Sequence, residues 1–377
     1  MHYQPYFLYS SGILLVGLAL AACGVTVVGG GAGGTGGSSG TAFTGPDPTT
    51  GTGTQGTTTT GVMTGPGTTT GPGTTTGSGF MCQASPPLSG ACAPTQSCPG
   101  ASSPCLSEVN QAGTSTFGLR MSQLRFSAPT AFTAGLIASV FNGNALPDQP
   151  SCNLNGTGTL SWLLRFDLAA GTVTTGGAKP STSPHGPYQF INEMVTSGPT
   201  SLQVAPAKLA AALTPGCGFA SSAGDLVVPV YLNAGATNVV LLPLHQMRFH
   251  DGAFSADHAC IGRYDAEQLD PANGCQYDTA HPTFVDGAAV DAFLNLDETD
   301  LVVVAPLNET LCVLLSGSPT KYGTPGPAGV TVCKRDANKN ILFPGDWCAS
   351  TNQLATAGCA DALRLSATFA AQGVLIP

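Results

Sequence analysis

The clearest structural signal in the sequence is one alternating stretch, Gly158-Thr159-Leu160-Ser161-Trp162-Leu163-Leu164-Arg165-Phe166-Asp167-Leu168. One face of the extended chain would carry Leu160, Trp162, Leu164, Phe166 and Leu168. The other face would carry Ser161, Leu163, Arg165 and Asp167. Successive side chains of a strand point to opposite faces, so this period of two predicts a half-buried β-strand.

Other segments repeat the strand signal. Residues 363–369 alternate in the same way, and residues 226–232, 239–244, 301–305 and 311–315 are nearly continuous apolar runs. Such runs predict strands that are buried on both sides. The alternation through Phe117, Leu119 and Met121 resumes out of phase at Leu124 and Phe126, which predicts a β-bulge.

Helix signals are few. Residues 206–213 begin with Pro206 and end before a Thr-Pro-Gly turn, and residues 286–294 begin with a capping residue, Asp286. Both segments predict short helices. Frequent Gly and Pro separate the apolar runs, so we expect an all-β fold, a β-sandwich or jelly-roll-like domain, with about two short helices. Strand topology is not predicted.

The N-terminus carries an export signal. Residues 12–22 form an apolar run of h-region length, followed by Leu20-Ala21-Ala22-Cys23-Gly24, which resembles the lipobox of bacterial lipoproteins. The resemblance implies a signal peptide at 1–22, cleavage before Cys23 and lipidation of that cysteine, with the mature protein anchored at the outer membrane or cell surface. Residues 1–11 contain no Lys or Arg, so an uncleaved anchor or an ordinary secretory signal is the alternative.

Cysteine usage also indicates an extracytoplasmic protein. Of the 13 cysteines, twelve remain when Cys23 is set aside, and an even number fits disulfide pairing in an oxidising compartment. The predicted disulfide cysteines are Cys82, Cys92, Cys98, Cys105, Cys152, Cys217, Cys260, Cys275, Cys312, Cys333, Cys348 and Cys359. Connectivity stays open, with Cys260–Cys275 and Cys348–Cys359 as plausible local pairs.

Composition divides the chain into regions. Residues 23–80 are rich in Gly, Thr and Pro, and a six-residue unit at 65–70 repeats at 71–76. This composition predicts a disordered tether, either an unmodified spacer or one that carries O-linked sugars on its threonines. A Cys-rich segment at 81–110 then leads into one β-rich globular domain at 111–377.

Charge is sparse and uneven. Only 9% of residues are charged, the net charge is −9, and residues 251–309 contain one base, Arg263. This acidic region argues against nucleic acid as a partner. No organic cofactor is predicted; the acids are interpreted as solvated loop residues, with a calcium site as the alternative that they permit. Residues 336–340 resemble the start of a calcium loop but lack the turn glycine and the final glutamate.

Four histidines lie in or beside the acidic region: His245, His250, His258 and His281. Two of them have an acidic neighbour, which gives His250, Asp251, Asp257 and His258 as candidate residues of a zinc or general-base site. The alternative is that these residues are scattered surface or packing residues. No catalytic residue is predicted, because no His-Glu-x-x-His motif is present and the one Gly-x-Ser-x-Gly string, at 36–40, lies in the Gly/Thr/Pro-rich stretch rather than at a strand-to-helix elbow.

The whole pattern resembles Cys-rich lipoproteins of myxobacterial type. The resemblance covers the lipobox, the tether and motifs at 260–264, 311–315 and 345–348, and it implies no catalytic residue. We therefore expect a lipid-anchored extracytoplasmic protein with a binding or cell-envelope structural role, held at the membrane through Cys23, with a protein or carbohydrate ligand. The alternative is a secreted metal-assisted hydrolase that uses residues 245–309.

Overall fold

The computed structural model describes residues 108–133, 135–149, 154–214, 217–264 and 283–377. The predicted signal peptide and tether lie outside these residues, and so does most of the Cys-rich segment. All that follows concerns the described residues.

Strands dominate the described chain, which confirms the all-β class. The strands are β1 (Thr116–Ala128), β2 (Asp148–Gln149), β3 (Leu154–Asn155), β4 (Ser161–Asp167), β5 (Thr172–Ala178), β6 (Glu193–Ser197), β7 (Thr200–Val204), β8 (Ala207–Thr214), β9 (Gly218–Ser221), β10 (Gly224–Tyr231), β11 (Val239–His250), β12 (Gly252–Ala253), β13 (Cys260–Ile261), β14 (Arg263–Tyr264), β15 (Phe284–Val285), β16 (Ala288–Asn295), β17 (Val303–Val304), β18 (Glu309–Thr310), β19 (Gly323–Pro325), β20 (Thr331–Cys333), β21 (Trp347–Cys348), β22 (Gln353–Leu354) and β23 (Ala362–Val374). The helices are α1 (Thr130–Thr133), α2 (Gly135–Ala145), α3 (Leu296–Thr299), α4 (Leu311–Leu315) and α5 (Pro319–Tyr322), with 3-10 turns at Ala305–Leu307 and Pro327–Gly329.

Most of the long strands form one antiparallel sheet. Its order is β10-β11-β16-β23-β1-β4-β5-β8-β9-β12, and β13 and β21 also pair with β23. The two longest strands, β1 and β23, pair from Gly118 opposite Val374 to Ala128 opposite Ser366. They therefore form the centre of the sheet, and the polar clusters described below lie on strands close to them.

The sheet curls so that its two halves face each other, which gives sandwich-like layering from a single sheet. Trp162 on β4 lies 6.4 Å from Phe249 on β11, ring centre to ring centre. Phe249 in turn contacts Phe369 on β23 edge to face at 5.6 Å. The halves approach closely at Gly177 on β5, where a Cβ atom would lie 2.3 Å from Cδ of Pro229 on β10. Only glycine fits there, since any side chain would overlap a rigid proline ring.

The alternating stretch at 158–168 forms β4, as predicted, but it is more buried than a half-buried strand. Trp162, Leu164 and Phe166 lie in the main core, with at most 2% of each side chain exposed. Leu163 on the opposite face is also fully buried, in a second cluster with Ala178, Tyr188 and Val374. The chain around Tyr188 therefore covers the face that alternation assigned to solvent.

Several other strand predictions are confirmed. Residues 226–232 and 239–244 lie largely in β10 and β11, and residues 363–369 lie within β23. The predicted bulge is present, because the pairing of β1 with β23 shifts register between Met121 and Gln123. The run at 301–305 forms a strand only at Val303–Val304, after which a 3-10 turn begins.

Three element predictions are wrong. The segments expected to be helices, 206–213 and 286–294, instead form β8 and β16, because each is paired on both sides by neighbouring strands. The run at 311–315 is the helix α4, whose N-terminus is capped by the Thr310 hydroxyl, which accepts a hydrogen bond from the Val313 N–H. In each segment the tertiary surroundings override the local pattern.

Candidate functional site

The candidate residues His250 and Asp251 lie at the end of β11 and contact each other. His250 Nδ1 lies 2.7 Å from an Asp251 carboxylate oxygen, and His250 Nε2 lies 3.1 Å from Asp291 on β16. Both ring nitrogens are therefore engaged by carboxylates. This arrangement suits an ion pair better than a metal ligand, since a ligating imidazole needs one nitrogen for the metal.

Asp291 is the centre of a charged network on the outer surface of β11, β16 and β23. Its carboxylate accepts a hydrogen bond from the Ser366 hydroxyl and pairs with Arg364 at 3.2 Å and Arg248 at 3.6 Å. Burial disfavours the charged form of Asp291, yet the Ser366 hydrogen bond and the Arg364 guanidinium outweigh it and lower the pKa. Ser366 bonds to the carboxylate and not to a histidine, so the cluster lacks the geometry of a nucleophile beside its base.

We predict that the Asp291→Asn variant is less sensitive to acid than the wild type. Because the folded-state pKa of Asp291 lies below its unfolded value, its charge stabilises the fold above about pH 4, and this contribution is lost as pH falls through the folded pKa. The variant should melt lower than the wild type near pH 6, and the gap should narrow toward about pH 2. Thermal melts of both proteins across this range make the test.

Glu193→Gln serves as the control for that experiment, since Glu193 forms an exposed ion pair with Lys179. The melting temperature of Glu193→Gln should match that of the wild type at every pH. A gap between Asp291→Asn and wild type that stays constant with pH would contradict the prediction.

The other two candidates, Asp257 and His258, lie in a separate turn. Asp257 accepts hydrogen bonds from the Ser255 hydroxyl and the Ala259 N–H. The His258 ring stacks on Phe117 at 4.2 Å, and burial lowers its pKa, although its hydrogen bonds and the nearby Asp257 oppose that shift. Among the described residues these two do not join His250 and Asp251 in a ligand set, so the predicted four-residue site is not assembled.

The remaining histidine and acidic candidates also lie at separate places and form no common site among the described residues. His245 Nε2 pairs with Glu298 at 2.6 Å, and the His245 ring stacks on Phe293. His281 and the acidic residues between 265 and 282 lie outside the described residues. The calcium-loop-like stretch is a tight turn in which the Asp336 carboxylate accepts hydrogen bonds from the backbone N–H groups of Asn338 and Asn340. Those bonds, led by the one from Asn340, lower the pKa of Asp336.

The cysteines that the structure describes are mostly paired. Disulfides join Cys312 to Cys333 and Cys348 to Cys359, which confirms the second predicted local pair. Cys217 is also disulfide-bonded. The predicted Cys260–Cys275 pair is wrong, because Cys260 is a free thiol buried on β13 beside β23, and burial raises its pKa. The other predicted disulfide cysteines, Cys82, Cys92, Cys98, Cys105, Cys152 and Cys275, lie outside the described residues.

A cleft that the sequence did not predict lies beside the start of β1 and the middle of β4. Its volume is about 290 Å³, and its wall includes Gln111, Thr116, Arg165, Pro187, Leu375 and Ile376. Arg165 is half-buried, and no hydrogen bond or ion pair connects its guanidinium to any described residue. The sequence signal for this site was Arg165 itself, a cation in a strand whose neighbours are mainly apolar.

Comparison of the chain with protein-family models, curated proteins and solved structures finds no match. A search of the described helices finds none that is both long and apolar enough to cross a bilayer. Roles for individual residues are therefore argued from this chain's own geometry.

Proposed function

We propose that this chain is a lipid-anchored extracytoplasmic protein whose β-domain acts in ligand binding or in the structure of the cell envelope. The observation that carries the proposal is the sequence Leu20-Ala21-Ala22-Cys23, placed directly at the end of the apolar run at 12–22. The Cys23 thiol would receive a diacylglyceryl group, and the new N-terminus would hold the protein at the outer membrane or cell surface.

The disulfides support this location. Cys312 and Cys333 are both buried in the core and bonded to each other, and Cys348 pairs with Cys359. Structural disulfides form and persist in oxidising compartments, whereas cytosolic thiols are kept reduced. A cytosolic location would leave these core positions as unpaired thiols.

The composition of residues 24–80 supports a domain that works at a distance from its anchor. Its 57 residues contain one charge, Asp47, and almost no apolar side chains. A Gly-rich coil of this length has a root-mean-square span of about 40 Å, enough to lift a domain clear of lipid headgroups. A protein or carbohydrate ligand outside the membrane would then be within reach.

We favour binding over metal-assisted hydrolysis because the histidine and acidic side chains mainly contact one another or the core. His250 and His245 are each placed against two carboxylates, and His258 is packed against an aromatic ring. These contacts give the histidines structural roles in the described domain. The Asp291 network likewise satisfies its own charges.

The anchor is tested by detergent phase separation after expression in a bacterium that processes lipoproteins. We expect wild-type protein in the detergent-rich phase and the Cys23→Ser variant in the aqueous phase, because the variant lacks the thiol that accepts the lipid. Cys260→Ser is the matched control, since it removes a thiol that makes no disulfide, and it should partition like the wild type. Aqueous partitioning of the wild type, or equal partitioning of wild type and Cys23→Ser, would refute the proposal.

A further inference from the structure

The cleft beside Arg165 places one cation where a ligand can reach it. Arg165 lies on β4, with its backbone opposite Gly118 of β1 and Thr174 of β5. Its Nε atom is buried and has no hydrogen-bond partner among the residues that the structure describes. A guanidinium stays charged at every physiological pH, and buried donors in folded proteins are nearly always paired. An unpaired guanidinium in the wall of a cleft is therefore suited to an anion from outside the described chain.

The neighbouring polar group in the cleft is already satisfied. The Gln111 side chain donates from Nε2 to the Gly118 carbonyl at 2.8 Å and accepts from the Gly118 N–H at 3.0 Å. This pair holds the chain before β1 against the strand. Gln111 thus shapes the wall, and Arg165 supplies the charge.

The remaining wall is mostly apolar, although Thr116 and Pro377 also line it, and it is partly open to solvent. Ile376 covers Gly118 so closely that a Cβ on the glycine would lie 2.7 Å from its side chain. Leu375 is 50% exposed, and Pro187 lies near it because the next residue, Tyr188, donates its N–H to the Leu375 carbonyl at 2.8 Å. The cleft therefore offers both a cation and apolar side chains to the same ligand.

We propose that this cleft binds a small organic carboxylate that carries an apolar group. The carboxylate accepts hydrogen bonds from the Arg165 guanidinium, and the apolar group packs against Leu375, Ile376 and Pro187. Guanidinium and carboxylate match as a planar, charge-assisted pair, which is stronger than a neutral hydrogen bond. A volume of about 290 Å³ admits a ligand of a few carbon atoms. This inference goes beyond the protein or carbohydrate ligand of the proposed function, and it rests on the proposed binding role of the domain.

The test is isothermal titration of the full chain in detergent micelles, with protein-free micelles as the blank. Hexanoate is the matched probe, hexanamide lacks its charge, and acetate lacks its apolar group. We expect hexanoate to bind at least about tenfold more tightly than hexanamide or acetate, because each of those removes one of the two contacts. Equal affinity for hexanoate and hexanamide, or no binding of hexanoate at millimolar concentration, would overturn the proposal.

The variant Arg165→Gln removes the charge and keeps a shorter polar side chain that can still donate hydrogen bonds. We expect its affinity for hexanoate to fall at least about tenfold while its melting temperature stays within about 2 °C of the wild type, since no described contact is lost. Lys208→Gln removes an exposed cation from β8 and should leave hexanoate binding unchanged. A lower melting temperature for Arg165→Gln with unchanged hexanoate affinity would assign Arg165 a structural role and overturn the proposal.

The two proposals fail separately. If the protein enters the detergent phase through Cys23 but does not bind hexanoate, the carboxylate site is refuted and the lipid anchor is supported. If the protein binds hexanoate but partitions into the aqueous phase, the lipid anchor is refuted and the carboxylate site is supported.

Discussion

Replacing Arg120 with alanine should lower the free energy of unfolding by about 3 kcal/mol or more. Arg120 lies on β1 with only 5% of its surface exposed. Its Nη2 donates to the carbonyls of Gly158 at 2.8 Å, Leu160 at 3.0 Å and Ala145 at 3.4 Å. The last of these is the C-terminal residue of α2, so the guanidinium also caps the negative end of that helix.

The size of the effect follows from what alanine leaves behind. Each buried carbonyl that loses its donor costs about 1 kcal/mol or more, and the missing side chain leaves a cavity. Burial lowers the pKa of Arg120, which shows that the charge is costly where it lies, and removing it returns part of that cost. The lost hydrogen bonds and the cavity should dominate, because the carbonyls are held in place: Ala145 ends α2, and the N–H groups of Gly158 and Leu160 donate to the backbone carbonyls of Leu146 and Asn144.

Urea unfolding of Arg120→Ala and wild type measures this difference. Arg248→Ala is the control, since Arg248 is 59% exposed and forms a surface ion pair with Asp291. A surface pair of this kind contributes at most about 1 kcal/mol. If both variants lose the same small amount of unfolding free energy, Arg120 does not anchor α2 as described.

Removing the Cys312–Cys333 disulfide should cost about 3 kcal/mol. The bond closes a loop of 21 residues between α4 and β20, and loop-closure entropy alone gives this magnitude. Both cysteines are at most 1% exposed, so an open pair would also disturb packing in the core. The double variant Cys312→Ala with Cys333→Ala should therefore melt well below the wild type.

The second disulfide provides an internal comparison. Cys348 and Cys359 close a loop of only 11 residues, and Cys359 is only half-buried, so replacing both with alanine should cost less. The measurement is the melting temperature of each double variant, with wild type in the presence and absence of reductant. An unchanged melting temperature of the wild type in reductant would contradict a stabilising role for both bonds.

The sequence predicted strands correctly where apolar residues either alternate or form a continuous run. The stretch at 158–168 and the apolar runs of β10 and β11 carry enough apolar side chains to specify strands. It failed at 206–213 and 286–294, where Ala-rich chain fits either a short helix or a strand between two partners. Pairing on both sides decides such segments, and pairing is not visible in a local pattern.

The candidate site shows the same limit. His250 and His258 were grouped because they are close in sequence, yet one ends a strand and the other lies in a turn with a positive φ of 54°. Arg165 was visible as a charge in β4, but its interest depends on the lack of a counter-ion among the described residues. A missing partner is a tertiary property, so no single-sequence pattern can show it.

Mass spectrometry of the N-terminal peptide of the mature protein is the most direct test of the lipid anchor. The mature chain should begin at Cys23 and carry a thioether-linked diacylglyceryl group, with residues 1–22 removed. A mature chain that begins at any other residue, or one that begins at Cys23 with an unmodified thiol, would contradict it.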